Sequence, residues 1–234
     1  MSPFFTEDLD LIGCLVGYLA GFAFEMWVDC TSSITLFYFC GGLYRIMEAK
    51  RYLTAQELLN DSFELGLRIF KSGFRPSFII GVWRGGTPVG IAVQEILDHL
   101  GVKTDHISIR TSSYTGIKKR DKTVRVHGLE YVIRQANWED GLLLVDDVFD
   151  TGSSIKAIIE VLRAKMRRNL PDDIRIATAW FKPKYNLTDI IPDYYIHETD
   201  QWLVFPHELE GLTREEIFAH KSGMKKLFEE AGLD

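Results

Sequence analysis

The sequence predicts an α/β protein: a parallel, twisted sheet flanked by helices. Three observations point there. Near-continuous apolar runs of strand length recur at 77–83 (SFIIGVW), 141–147 (GLLLVDD) and 174–181 (IRIATAWF). They lack the in/out alternation of strands that face water on one side, so both faces should be covered. Segments of helical spacing separate them, and strand–helix alternation of this kind folds into a parallel sheet with helices packed on it.

Each element has its own signal. Thr54-Ala-Gln-Glu57 is a capping box, and Leu58, Leu59, Ser62, Phe63, Gly66, Ile69 and Phe70 follow at helical spacing, with Gly73 able to end the helix. The strand 77–83 is broken by Arg-Gly-Gly-Thr-Pro, and 89–101 reads as a helix. Residues 102–110 (VKTDHISIR) alternate as a strand, whereas 111–128 is polar and basic without firm periodicity. The buried strand at 141–147 leads to a helix over 153–168. The run at 174–181 is followed by a shorter strand, DYYIHE, at 193–198. A second capping box, Thr213-Arg-Glu-Glu216, opens a C-terminal helix. No internal repeat or low-complexity tract interrupts 47–234.

Residues 1–46 differ from the rest. All three cysteines, Cys14, Cys30 and Cys40, lie there, without CxxC spacing, which fits neither a disulfide framework nor a zinc site and suits a reducing compartment. The run 11–28 is apolar except for Glu25, and a second apolar run spans 34–44. Eighteen residues are at the short edge of a membrane span. Glu7, Asp8 and Asp10 stand where a secretory signal carries basic residues. Four readings stay open: an over-extended start with the functional chain beginning near Met47, a membrane anchor, a packed helical hairpin, or a signal peptide. The functional domain is therefore expected over 47–234.

A net charge of −6 gives no basic footprint for nucleic acid or an anionic membrane, so neither is an expected partner. In an open α/β sheet, ligands bind beyond the carboxyl ends of the strands. Three loops sit at such ends. In LLLVDDVFDTGSS (142–154), the turn into a helix at Ser153 frees backbone amides. With the hydroxyls of Thr151, Ser153 and Ser154 they suit a phosphate, and Gly152 lets the backbone approach it. Asp146 and Asp147 would repel that phosphate, but they can accept hydrogen bonds from a diol or hold a divalent cation. Phosphate, diol and cation together describe a ribose 5-phosphate with Mg2+ nearby. The plain alternative is an N-cap cluster on an ordinary strand–helix turn. In the second loop, Arg84, Gly85 and Gly86 suit a diphosphate, or else form a simple turn capped by Thr87 with Pro88 first in the helix. In the third, Lys182 before Pro183 is either an ammonium over the pocket or an ordinary surface lysine.

The apolar run, two acids, two apolar residues, then Asp-Thr-Gly and a hydroxyl residue resemble the phosphoribosyl-diphosphate signature of the type I phosphoribosyltransferases, and the likeness extends over roughly 54–210. The resemblance implies the type I fold with a flexible hood loop and a small base-binding hood. Arg84, Gly85 and Gly86 then hold the pyrophosphate, with Trp83–Arg84 as a candidate cis peptide. Asp146 and Asp147 hold the ribose hydroxyls, Asp147 also a magnesium ion. Asp150 is the catalytic acid/base, and Thr151, Gly152, Ser153 and Ser154 hold the 5′-phosphate. Ser113 and Tyr114 match a pair carried on a closing lid. Lys182 reads the O6 of a 6-oxopurine, Trp202 stacks on the base and Leu203 offers backbone groups to its edge; by packing alone, Trp202 would be a core residue.

Arg-Gly-Gly, Ser-Ser-Tyr, Lys-Pro and Asp-x-Trp look most like the bacterial xanthine-guanine and hypoxanthine enzymes of purine salvage. Those enzymes imply a cytoplasmic homo-oligomer, a dimer or tetramer, whose small-molecule substrates are phosphoribosyl diphosphate (PRPP) and a base. One departure matters. Val204 stands two places after the tryptophan, where the xanthine-guanine type carries an acidic residue that helps read the 2-substituent; Glu208 lies nearby. Guanine, xanthine and hypoxanthine therefore stay open. The rivals are a non-catalytic PRPP sensor and an enzyme for orotate, uracil or adenine.

Overall fold

In the computed structural model the backbone is described for residues 12–19, 22–29, 34–39, 42–46, 50–115 and 122–233, and side chains for 50–112 and 124–233. The chain divides into two compact units, Met1–Arg51 and Tyr52–Asp234.

The first unit contains four antiparallel strands in sequential order: β1 (Ile12–Leu19), β2 (Phe22–Asp29), β3 (Ile34–Phe39) and β4 (Gly42–Ile46). Ile12 pairs with Asp29, Glu25 with Tyr38 and Thr35 with Ile46. Strands thus replace the helical hairpin considered for this segment. Repeated glycines disfavour a helix here, and the aromatic-rich runs 22–29 and 34–39 favour a pleated surface. No helix among the described residues is long and apolar enough to cross a membrane.

The second unit follows β5 (Lys50–Tyr52). Its six-stranded sheet has the order β11-β10-β9-β6-β7-β8, comprising β6 (Phe78–Trp83), β7 (Asp105–Thr115), β8 (Lys122–His127), β9 (Gly141–Phe149), β10 (Asp173–Phe181) and β11 (Tyr194–Glu198). Five strands are parallel; β8 pairs antiparallel with β7, Arg110 against His127, at the sheet edge. The stretch read as an aperiodic lid is thus largely an antiparallel pair built from the ends of β7 and β8. Ser113 and Tyr114 lie in β7, and their side chains are outside the described residues.

Helices cover both faces. The helix α1 (Ala55–Lys71) has its capping box in place: the Glu57 amide donates to Thr54 Oγ1 at 3.1 Å and the Thr54 amide to Glu57 Oε2 at 2.7 Å. Ser72 and Gly73 end it, Gly73 at φ +86°. With α2 (Gly86–His99) it packs on one face through Leu65, Ile69, Val89 and Val93. On the other face lie α4 (Ser153–Met166) and a short helix the sequence reading passed over, α3 (Glu130–Gln135). The strand β9 shows why the apolar run is unbroken. Leu143 and Val145 belong to the first core, Leu142 and Leu144 to the second, and all four are fully buried. Each such side chain withdrawn from water contributes about 1.5–3 kcal/mol, so the strand is fixed before its acidic end is reached.

After β11, the short strand β12 (Trp202–Val204) is tied back ahead of α1 by the Leu53 amide, which donates to the Val204 carbonyl at 3.0 Å. The C-terminal segment forms two helices rather than one, α5 (Arg214–His220) and α6 (Met224–Glu230), because Gly223 at φ +79° breaks the run.

Candidate active site

Sheet register brings the three predicted loops together. Gly81 lies opposite Val145, and Val145 opposite Ala177. The carboxyl ends of β6, β9 and β10 therefore share one edge, with Asp146 and Asp147 near the end of β9 and Arg84, Asp150 and Lys182 just beyond the strands. They open onto a cavity of about 410 Å3. Arg84, Gly85, Asp146, Asp147, Asp150, Ser154, Lys182, Trp202 and Leu203 all line it. Gly86, Thr151, Gly152 and Ser153 are not among its lining residues: Gly86 opens α2, and Thr151 and Gly152 lead into α4 at Ser153.

Two glycines are required by contact. A Cβ on Gly85 would fall on the Asp147 carboxylate, and one on Gly86 would overlap the Val145 carbonyl and stand 2.8 Å from Asp146 Cα. The Arg-Gly-Gly loop therefore packs directly against the two aspartates. The Trp83–Arg84 peptide is cis. The helix α2 starts at Gly86 with Gly85 as N-cap, so Thr87 is not the cap and Pro88 is not the first helical residue, as the plain-turn reading had it. Both helices that begin at the site, α2 and α4, lack a side-chain cap, whereas α1 and α5 carry complete capping boxes. Uncapped amides at a helix start suit an anion. At α4, Gly152 takes φ +74°, and the Ser153 amide reaches only Thr151 Oγ1, at 3.4 Å. Thr111, from β7, donates to Ser154 Oγ at 3.4 Å.

The aspartate pair is electrostatically loaded. The Asp147 amide donates to Asp146 Oδ1 at 3.0 Å, and the Val148 amide to Asp147 Oδ1 at 2.8 Å. Burial, reinforced by the neighbouring carboxylate of Asp147, pushes the Asp146 carboxyl well above the usual range. Burial likewise pushes Asp147 up to about 6. Two crowded carboxylates of this kind gain from hydroxyl donors or a cation. Among the described residues no cluster of three or more His, Cys, Asp or Glu is arranged as a closed metal cage. Two carboxylates lining a cavity are the donor type that an oxygen-loving ion such as Mg2+ takes when its other ligands come from substrate and water.

Lys182 is held by its backbone: its amide donates to the Phe149 carbonyl at 2.9 Å, while its ammonium lies 5.5 Å from the Tyr185 ring. Trp202 is 52% exposed although it lines the cavity, so it is not the core residue that packing alone would make it. Val204 is buried, and Glu208 accepts the Phe205 amide at 3.0 Å. The sequence reading missed Thr111 and His207. His207 Nε2 lies 3.7 Å from Asp147 Oδ2, and burial lowers its pKa. The Pro-His-Glu that follows an apolar strand was the signal available for it.

This is the fold and site of a phosphoribosyltransferase. The phosphoribosyl transferase domain model matches residues 48–210, and the chain belongs to that family. It is similar to a purine phosphoribosyltransferase from Pyrococcus horikoshii, with 28% identity and a TM-score of 0.56 over 70% of this chain and 98% of that one. A protein from Neisseria gonorrhoeae solved with bound ppGpp gives a TM-score of 0.60 at 18% identity, over 80% and 98% of the two chains. The Helicobacter pylori xanthine-guanine-hypoxanthine phosphoribosyltransferase gives 0.53 at 18%, over 77% and 99%. These two likenesses bear on the fold alone. No curated protein matches the chain significantly.

Proposed function

We propose that the protein transfers the phosphoribosyl group of PRPP to a 6-oxopurine (xanthine, guanine or hypoxanthine) and releases pyrophosphate, in purine salvage. The observation that carries this reading is the meeting in one cavity of Lys182 and the exposed face of Trp202 with Arg84, Asp146, Asp147 and Asp150. An ammonium suits the exocyclic O6 of the base, and an indole suits its face. Orotate and uracil present smaller faces to such a tryptophan, and adenine lacks the O6 acceptor.

In this reading the purine N9 attacks C1 of the sugar as the bond from C1 to the diphosphate oxygen breaks, through an oxocarbenium-like transition state. The proton on the attacking base passes to the Asp150 carboxylate. Arg84 and the amides of Gly85 and Gly86 neutralise the departing diphosphate. Asp146 and Asp147 orient the ribose diol, and Thr151 to Ser154 hold the 5′-phosphate, so that positioning supplies much of the rate. Mg2+, held by Asp147 and the substrate, would supply further charge neutralisation on the diphosphate. Ser113 and Tyr114 close over the diphosphate and exclude water. A cytoplasmic homo-oligomer, a dimer or tetramer, belongs to the same proposal; light scattering on the purified chain tests the assembly.

The test is pyrophosphate release from magnesium PRPP with xanthine, guanine, hypoxanthine, adenine, orotate and uracil offered singly. Turnover with a 6-oxopurine, lost in Lys182→Ala and in Asp150→Asn, is the expected result. PRPP binding without turnover on any base would replace the enzyme by a sensor.

A further inference from the structure

The matched domain ends at residue 210, and α5 lies beyond it. Yet α5 reaches back to the wall of the cavity. Lys221, its C-cap, is 8% exposed, and its ammonium donates to the Phe205 carbonyl. Phe205 follows β12 directly, three residues after Trp202. Its amide is also taken by a charged side chain, Glu208 Oε2, at 3.0 Å. The Phe205 carbonyl also accepts the Glu208 amide at 3.0 Å, so a tight turn and two charged side chains hold Phe205 rather than a neighbouring strand. On the other flank the Val204 carbonyl accepts the Leu53 amide. The helix carrying Lys221 is fixed in turn. The Thr213–Glu216 capping box starts it, Glu216 Oε1 accepts the Tyr52 hydroxyl at 2.9 Å, and His220 stacks on Tyr52 at 3.7 Å.

A buried ammonium costs free energy unless it is well hydrogen-bonded, and the Phe205 carbonyl already has an amide partner in Glu208, so the ammonium is not needed merely to satisfy it. The arrangement makes sense if the position of that carbonyl matters. We propose that Lys221 is a positioning residue for the base pocket: through the Phe205 carbonyl it sets the Trp202–Phe205 wall, so that the C-terminal helix tunes base binding. The proposal rests on the base-pocket reading of Trp202 and Leu203 given above.

The test uses the full chain with Lys221→Met, which keeps the stem and removes the donor, and Lys221→Arg, which keeps a charged donor. Amide exchange over 202–208 without ligand is measured first, then KM for the preferred 6-oxopurine, KM for PRPP and kcat. Loss of a charge-assisted hydrogen bond should speed exchange over 202–208 and raise base KM by about tenfold in Lys221→Met, with PRPP KM changed less than about twofold. Lys221→Arg should return both readouts toward wild type. Unchanged base KM in Lys221→Met, or equal rises in both KM values, overturns the proposal. Absence of wild-type turnover would remove the proposed function instead, and unaltered exchange over 202–208 would then still refute the latch.

Discussion

Replacing Gly86 by alanine should damage both stability and catalysis, and replacing Gly90 in the same helix should damage neither. The difference is geometric. A methyl on Gly86 would overlap the Val145 carbonyl oxygen and stand 2.8 Å from Asp146 Cα, where ordinary contact begins at 3.4 Å. Both atoms are backbone of β9, which is laddered to β6 and β10, so neither can rotate aside. The first turn of α2 must retreat by at least about 0.6 Å, and it carries the Arg84–Gly86 loop with it. Overpacking of this kind costs about 1–3 kcal/mol, a fall in Tm of roughly 2–12 °C for a domain of this size. A methyl on Gly90 would instead meet Gly81 Cα at 3.6 Å and Val145 side-chain atoms at 3.9 Å and beyond, which is normal packing. Removing a glycine from a helix interior gains about 0.5–1 kcal/mol. Thermal unfolding followed by circular dichroism gives both shifts, and pyrophosphate release gives kcat/KM for PRPP, which should drop only in Gly86→Ala. Gly86→Ala melting at the wild-type temperature, or Gly90→Ala falling as far, would refute the close-approach argument.

Three further outcomes follow from the site. Trp202→Ala should raise base KM by roughly 5- to 150-fold, the equivalent of about 1–3 kcal/mol of stacking, while PRPP KM holds; a tryptophan serving only the fold would lower Tm and leave base KM alone. Lys182→Ala should lower kcat/KM for 6-oxopurines by about a hundredfold or more, because an unpaired exocyclic oxygen in a desolvated pocket loses a charge-assisted bond; steady-state kinetics on the preferred base decides it. The Asp147 carboxyl, raised to about 6 by burial, holds its proton more tightly folded than unfolded, so its ionisation weakens the fold as pH climbs from about 4 to 6. Asp147→Asn should therefore raise Tm at pH 7.5 and hardly at pH 4.5, with activity lost; equal shifts at both pH values would contradict the buried-charge reading.

The sheet and its ligand loops were legible because their signals are local. The apolar run 142–145 announces a strand covered on both faces, and the capping boxes at Thr54 and Thr213 announce helix starts that the structure confirms. Signals that depend on pairing were lost. The polar stretch after Arg110 has no firm apolar periodicity in its sequence, and its strands become visible only when β7 and β8 register as an edge pair. Residues 12–46 were read by hydropathy, which does not separate a long apolar helix from several short apolar strands. His207 and Lys221 escaped for a third reason. Each matters through one distant partner, Asp147 or the Phe205 carbonyl, and sequence spacing says nothing of a contact that spans 60 residues or crosses between a helix and a strand end.

The site itself poses a charge problem that its ligand must solve. The end of β9 and the first residue after it carry three carboxylates in five residues, and the chain then opens into an uncapped helix that favours anions. Bound alone, a phosphate at Ser153 would feel Asp146, Asp147 and Asp150; bound alone, a cation at the aspartates would feel the positive end of α4. Neither half is at ease with a simple ion, and burial already raises the Asp146 and Asp147 carboxyls. In the proposed reading, a ligand with an anionic end, a neutral diol in the middle and a diphosphate would satisfy all of it at once. It places negative charge on the helix amides, donors against the aspartates, and a second anion on Arg84 and the glycine amides. In the proposed reaction the same arrangement would hold carboxylates close to C1, where positive charge grows as the diphosphate leaves. Repulsion tolerated in the free protein thus becomes attraction in the transition state, and that difference is what lowers a barrier.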